Sequence, residues 1–311
     1  MLSTMSNTGL PMRTLGRTGL QVTQLGYGAM ELRGAPRGSV VDDAQAERVL
    51  RAVLDGGINY IDTSIDYGVS EERIGATLGS HRSEFYLASK CGCAVNPPPG
   101  ERPDHVFTPE NVIAGVEQSL RRLRTDYLDV VQFHASPSSA MLEEQGGLEA
   151  LQNMQRQGRV RFLGISGTMP NLPDQIRMGV FDVFQIPYSA LQPEHEQLIS
   201  DAAAAGGGTV IRGGVVKGAL APDKDGTSPG GLAADPREVW DRAQLDDLLD
   251  GGNRNEFILR YTLSHPNMHT TIVGTANLEH LAANLATARK GPLPPDVYAE
   301  ARRRLAQPAA M

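Results

Sequence analysis

Four ionisable side chains stand where short apolar runs stop. Asp62 closes Asn59-Tyr60-Ile61, Lys90 closes Tyr86-Leu87-Ala88-Ser89, and His134 closes Val131-Gln132-Phe133, while Tyr67 lies in the segment just after Asp62. A carboxylate, an amine, an imidazole and a phenol are groups that hold and transfer protons, and groups of perturbed acidity gather at functional sites. Each has a bland reading alone: Asp62 as a loop cap, Tyr67 as a surface residue, Lys90 as a solvated lysine, His134 as a satisfied core histidine. A lysine among apolar neighbours needs a partner or water. The four become one site only if the fold gathers those run ends.

The pattern around them predicts that it does. Apolar runs at 22–28, 59–62, 85–89, 128–133, 162–165, 183–186, 209–211 and 271–273 alternate with segments of helical period. Asp42 with Gln45 resembles a capping box before a helix that Gly56-Gly57 closes. Thr108-Pro109 opens a helix whose face is Val112, Val116, Leu120 and Leu123, and Pro170-Asn171 and Pro193-Glu194 open shorter ones. Eight strand-and-helix units imply a parallel sheet closed into a (β/α)8 TIM barrel, whose reactive groups sit at the C-terminal strand ends. Asp62, Lys90 and His134 then belong to the second, third and fourth strands, which are neighbours. A doubly wound sheet would instead carry a glycine fingerprint running directly into a helix, whereas 25–30 leads into a loop.

Residues 12–22 read as an N-terminal β-hairpin, 213–236 as a mobile loop, and 296–305 as a C-terminal helix introduced by Pro292–Pro295. Residues 1–311 are expected to form a single barrel domain, with flexible tails at 1–11 and 307–311.

Composition narrows the function classes. The chain has 311 residues, 40% hydrophobic and 21% charged, as in a soluble globular protein, and a net charge of −7 without a basic stripe argues against nucleic acid. No apolar run is long enough for a bilayer, and residues 1–12 lack the pattern of a signal peptide. The two cysteines, Cys91 and Cys93, are too few for a disulfide framework, so a reducing, cytoplasmic setting is expected. They read as passive thiols, with a redox-sensitive lip as the sharper alternative. No further ligands accompany them at metal-site spacing, no His-Glu-x-x-His occurs, and no metal is expected. Asp66 and Glu72 read as a cap and a helix-surface charge. Oligomeric state is not legible.

Asp62-Thr63-Ser64-Ile65-Asp66-Tyr67-Gly68, Lys90 and His134 resemble the catalytic tetrad of the aldo-keto reductase superfamily. The likeness extends through Gly26-Tyr27-Gly28, Gly164-Ile165-Ser166, Phe184-Gln185-Ile186-Pro187-Tyr188 and Val273-Gly274-Thr275, nearly the whole chain. It implies NAD(P)H-dependent reduction of small aldehydes or ketones to alcohols. Tyr67 would be the general acid, although a phenol's ordinary pKa of ~10 is high for a donor. Lys90 and Asp62 would tune it, and a neutral His134 would orient the carbonyl.

The same resemblance places the cofactor. Gly28 marks the first turn, Ser166 and Gln185 match positions that hold the nicotinamide carboxamide, and Asn284 matches an adenine contact. Gly274 and Thr275 precede a helix N-terminus near Asn277 where N–H groups can bind phosphate. Gly167 stands where asparagine is usual, His280 where an arginine often grips the 2′-phosphate, and Ala283 where an acidic residue is common. NADP(H) is the preferred cofactor and NAD(H) the other candidate. Arg212 stands where some members place an aromatic ring against nicotinamide, and could address pyrophosphate or substrate. Two other functions fit less of the pattern. One is a cofactor-binding, redox-sensing subunit with little turnover, since potassium-channel β subunits resemble this family. The other is a metal-dependent barrel hydrolase with Asp62 and His134 as ligands.

Overall fold

The structure, a computed structural model, describes residues 9–95, 97, 101, 103–215, 220 and 235–306. Strands β1 (Met12–Thr14) and β2 (Gln21–Thr23) pair antiparallel as the expected hairpin. Eight parallel strands follow: β3 (Leu25–Gly28), β4 (Tyr60–Asp62), β5 (Tyr86–Cys91), β6 (Leu128–Phe133), β7 (Val160–Ser166), β8 (Val183–Pro187), β9 (Gly208–Arg212) and β10 (Thr270–Val273). They pair in chain order, and β10 closes on β3 to complete a (β/α)8 barrel.

The helices between them are α1 (Asp43–Asp55), α2 (Ser70–Leu78), α3 (Pro109–Leu123), α4 (Ser139–Glu144), α5 (Gly147–Arg156), α6 (Leu172–Arg177) and α7 (Glu196–Ala204). After β9 come α8 (Pro236–Arg242) and α9 (Arg254–Leu263), then α10 (Leu278–Lys290) after β10 and a last helix, α11 (Pro295–Leu305). None of the described helices is long and apolar enough to cross a membrane. Thr108 accepts from Asn111 N with Pro109 in the first turn, and α6 opens after Asn171, whose side chain makes no capping bond. The Asp42 box is only half made. Asp42 accepts from Gln45 N at 2.6 Å, but the Gln45 side chain donates to the Ala276 carbonyl at 2.8 Å, tying α1 to the loop after β10. Most of 213–236, the tail segments 1–8 and 307–311, and Pro98-Pro99 of the proline run lie outside the described residues.

Strand alternation decides what faces inward. Tyr60, Ala88, Val130, Val183 and Val210 form an apolar tier inside the barrel, and Leu15, Leu20 and Val22 of the hairpin cap it from the N-terminal end. Two residues further along the same strands the inward positions become Asp62, Lys90, Gln132, Gln185 and Arg212. The inner surface therefore turns from apolar to polar within one alternation, and the polar tier is at the C-terminal mouth. Intervening residues such as Ile61, Leu87, Val131, Phe133, Phe184 and Ile186 face outward and pack in the main core.

Among the described strands, one buried outward position is charged. Asp129 on β6 accepts from Arg82 Nη2 at 2.6 Å, Arg161 Nη1 at 2.6 Å and the Leu87 backbone N–H at 2.9 Å.

Candidate active site

Asp62 and Lys90 share the polar tier because β4 pairs with β5 in a register that sets Asp62 opposite Ala88. Lys90 Nζ donates to Asp62 Oδ1 at 2.5 Å and to the Thr63 carbonyl at 2.7 Å, and lies 4.8 Å from the centre of the Tyr67 ring. Burial alone would weaken its hold on the proton, but Asp62, Tyr67 and Asp66 outweigh burial and hold the ammonium above its ordinary range. The second Asp62 oxygen accepts from Gln132 Nε2 and Gln185 Nε2, each at 2.8 Å. Both oxygens are thus committed to protein donors, which removes Asp62 from the metal-ligand role weighed above. For Tyr67, burial lifts the phenol above its ordinary value; Lys90 pulls it down, while Asp62 and Asp66 push it up.

His134 follows β6, and its backbone N–H donates to the Cys91 carbonyl at 3.0 Å. Its Nδ1 lies 3.1 Å from Cys93 Sγ and 3.6 Å from Asp66 Oδ1. The ring meets Tyr67 edge-on, with centroids 6.3 Å apart. Burial drops the imidazole to about 3, so the ring is neutral near pH 7. Burial, reinforced by Asp66, pushes the Cys93 thiol up to about 12. A protonated thiol can donate its S–H to Nδ1 of a neutral ring, in the tautomer that carries the ring's own N–H on Nε2. Asp66 is more than the expected cap: Ser64 Oγ donates to it at 2.5 Å, and Arg37 Nη2 stands 3.4 Å away. Burial would raise this carboxyl, but His134, Ser64, Lys90 and Arg37 outweigh it and keep it below its usual range.

A cleft of about 1780 Å³ runs from this group to α10. Asp62, Tyr67 and His134 line it, together with Gly28, Ser166, Gln185, Arg212, Gly274, Thr275, His280 and Asn284. Lys90, 1% exposed, is enclosed beneath the Tyr67 ring. Ser166 Oγ donates to Gln185 Oε1 at 3.3 Å. At Gly274 a Cβ would come within 2.5 Å of the Gly28 carbonyl, so only glycine lets the ends of β3 and β10 approach this closely. Asn277 caps α10 by accepting from the N–H groups of Glu279 at 2.7 Å and His280 at 3.2 Å. Those two donors are taken, and the helix start offers an incoming anion chiefly its dipole. Arg212 Nε is buried without a partner among the described residues, and burial lowers the guanidinium's affinity for its proton.

Gly167, the departure from asparagine, has a packing cause. A Cβ there would lie 2.5 Å from Gln175 Oε1 and 2.7 Å from Leu172 Cδ1, so α6 occupies the space a side chain would need. Gln175 cannot readily yield, because its Nε2 holds the Pro137 carbonyl at 2.7 Å and Ser136 Oγ at 3.2 Å.

Sequence reasoning missed Gln132 and the part played by Asp66 and Cys93. Gln132 was readable in principle, since it shares the inward register of β6 with Val130.

The sequence model of the Aldo/keto reductase family matches residues 24–305. The chain is 26% identical to L-galactose dehydrogenase of Arabidopsis thaliana over 292 residues, covering 90% of this chain and 88% of that protein. It is 31% identical to D-threo-aldose 1-dehydrogenase of a Pseudomonas species over 252 residues, covering 72% and 75%. An aldo-keto reductase from Bacillus halodurans in its holo form superposes with a TM-score of 0.84 at 27% identity, covering 97% of this chain and 98% of that one. Its apo form gives 0.77 at 26% identity over the same shares.

Proposed function

The chain belongs to the aldo/keto reductase family, oxidoreductases that work with nicotinamide cofactors, and from that premise we propose that it reduces aldehyde or ketone carbonyls to alcohols with NAD(P)H. The observation that carries the reading is the buried Lys90–Asp62 pair directly beneath the Tyr67 ring, with a neutral His134 beside it.

The cleft suits the cofactor. Pockets for drug-sized ligands run to roughly 300–1,000 Å³, and about 1780 Å³ leaves room for an extended dinucleotide beside a small substrate. When bound, the nicotinamide supplies the hydride that adds to the carbonyl carbon. Tyr67 gives its phenolic proton to the carbonyl oxygen as negative charge builds there. Lys90 stabilises the phenolate that remains, and Asp62, fixed by Gln132 and Gln185, keeps Lys90 charged and aimed. His134 donates from Nε2 to the same oxygen and sets its angle.

Ser166 and Gln185 hold the carboxamide. Gln185 Nε2 is committed to Asp62, and its Oε1, which already accepts from Ser166 Oγ, keeps a second lone pair for the carboxamide. Gly28, Gly274, Thr275, His280 and Asn284 bind toward the phosphate and adenine end, with Arg212 adding positive charge nearer the reacting group. NADPH is the preferred form, with exposed His280 in place of the usual arginine as the feature that admits NADH. The chain acts as one barrel unit, in the cytoplasm, on a small-molecule carbonyl substrate.

The test is fluorescence titration with NADPH and with NADH, then steady-state oxidation of the bound form across aldehydes, ketones and aldoses. Aldoses belong in the panel because both relatives above are named for aldose substrates. Stoichiometric cofactor binding with no turnover on any carbonyl would overturn the reductase in favour of the redox-sensing subunit.

A further inference from the structure

Cys93, His105 and His134 come from the segment after β5, the loop returning toward α3, and the end of β6. Their ligand atoms nevertheless lie within 4.8 Å of one another. The backbone holds them there. Cys93 and His105 form a β-bridge, flanked by Ala94 N–H to the Asp104 carbonyl at 2.8 Å and Val106 N–H to the Gly92 carbonyl at 2.7 Å. His134 is tied to β5 through Cys91. Cys93, without ligand partners in the linear spacing, thus gains two imidazoles from the fold. Asp66 Oδ1, 3.6 Å from His134 Nδ1, places negative charge beside the cluster.

We propose that Cys93, His105 and His134 form a binding site for zinc or a similarly soft divalent cation, and that occupancy switches the reductase off by withdrawing His134. Two imidazole nitrogens and a thiol are the donor set zinc prefers over magnesium or calcium. Bond lengths of ~2.0–2.1 Å to nitrogen and ~2.3 Å to sulfur bring tetrahedral ligand atoms to roughly 3.3–3.8 Å from one another. Sulfur and His134 Nδ1 are already 3.1 Å apart, and exposed His105 supplies the movement that closes the rest. The thiol proton leaves to solvent as the metal binds, with no change of oxidation state. Thiolate and Asp66 together offset the dication, and the fourth position stays open to water on the cleft side. Metal at Nδ1 keeps the ring's N–H on Nε2, so the change is one of position: His134 shifts toward the metal. A misplacement of about 1 Å can cost on the order of 10²-fold in rate.

The rate effect rests on the reductase reading; the binding does not. Cobalt(II) titration of the full chain, read by thiolate-to-cobalt charge-transfer and tetrahedral d–d absorption, tests the site without turnover. One equivalent should bind, zinc should displace it, and Cys93→Ser should lose the charge-transfer band. Zinc should slow carbonyl reduction by at least ~10-fold, a chelator should restore it, and exposed His105→Ala should keep the metal-free rate while resisting zinc. Absence of the charge-transfer band, or equal zinc inhibition of His105→Ala and the unaltered chain, would overturn the proposal. Cobalt held through Cys93 in a chain that reduces no carbonyl would support the site and count against the reductase reading.

Discussion

Two carboxylates on the strands either side of β5, Asp62 and Asp129, are each 1% exposed and each ion-paired, yet they do different work. Asp62 faces into the barrel at its mouth and holds a lysine, a compact charge whose proton responds to its surroundings. Asp129 faces outward and is bound by two arginines and a backbone N–H. A guanidinium stays charged under any condition the fold survives, and Arg82 is further pinned against the Tyr127 ring at 4.1 Å. Burial of charge alone therefore does not mark a reactive site. The mark is a titratable partner, a cleft and a second group that can use the proton.

Substitutions should separate the two carboxylates, beginning with the mouth. Tyr67→Phe should lower kcat by ~10²–10⁴, with the melting temperature and cofactor affinity kept; a variant at full reductase rate would remove the proton donor from the scheme. Asp129→Ala should invert that outcome. Leaving the Arg82 charge without its carboxylate and the Leu87 N–H without an acceptor should destabilise the fold by ~3–5 kcal/mol in urea titration, while kcat of the folded fraction is unchanged. Gln132→Leu deletes a hydrogen bond to a charged group, worth about 1.5–3 kcal/mol. It should lower the urea midpoint and shift the pH profile of kcat, whereas a purely structural role would leave that profile alone.

Acid tests both ends of the barrel. His134 at the mouth is depressed to about 3, and His265 and His269, packed toward the N-terminal end, to about 4, in each case foremost by burial. The unfolded chain takes up these protons first, near pH ~6.5. Stability is thus fully present above that pH and should decline as pH falls toward 4. His269→Asn should flatten part of the decline in a plot of melting temperature against pH, and an unchanged slope would reject the assignment. The smallest effect belongs to Arg161→Gln. This partner of Asp129 is 43% exposed, and its loss should cost less than about 1 kcal/mol; a larger loss would make the outer cluster a three-part unit.

Much of the barrel was legible because strand and helix periods are local. Each apolar run from 59–62 to 271–273 yielded its strand and Thr108-Pro109 its helix, while the run 22–28 broke at Gln24 between the hairpin strand β2 and the barrel strand β3. Asp62, Lys90 and His134 could be nominated because a strand end is a position in sequence as well as in space. The capping box failed at Gln45, whose amide found a carbonyl far along the chain. Gly167 looked like a lost contact until α6 was seen to fill the room a side chain would need.

The order of residue types along the chain determined by itself that eight parallel strands would close and that polar groups would follow apolar ones at their ends. Only the tertiary structure decided what those groups became. It joined Gln132 and Gln185 to Asp62, brought His105 and His134 to Cys93, and left the Tyr67 phenol above its usual value despite Lys90. These outcomes depend on solvent exclusion and on distances of a few ångströms between residues remote in sequence. Neither is a property of any local stretch of chain.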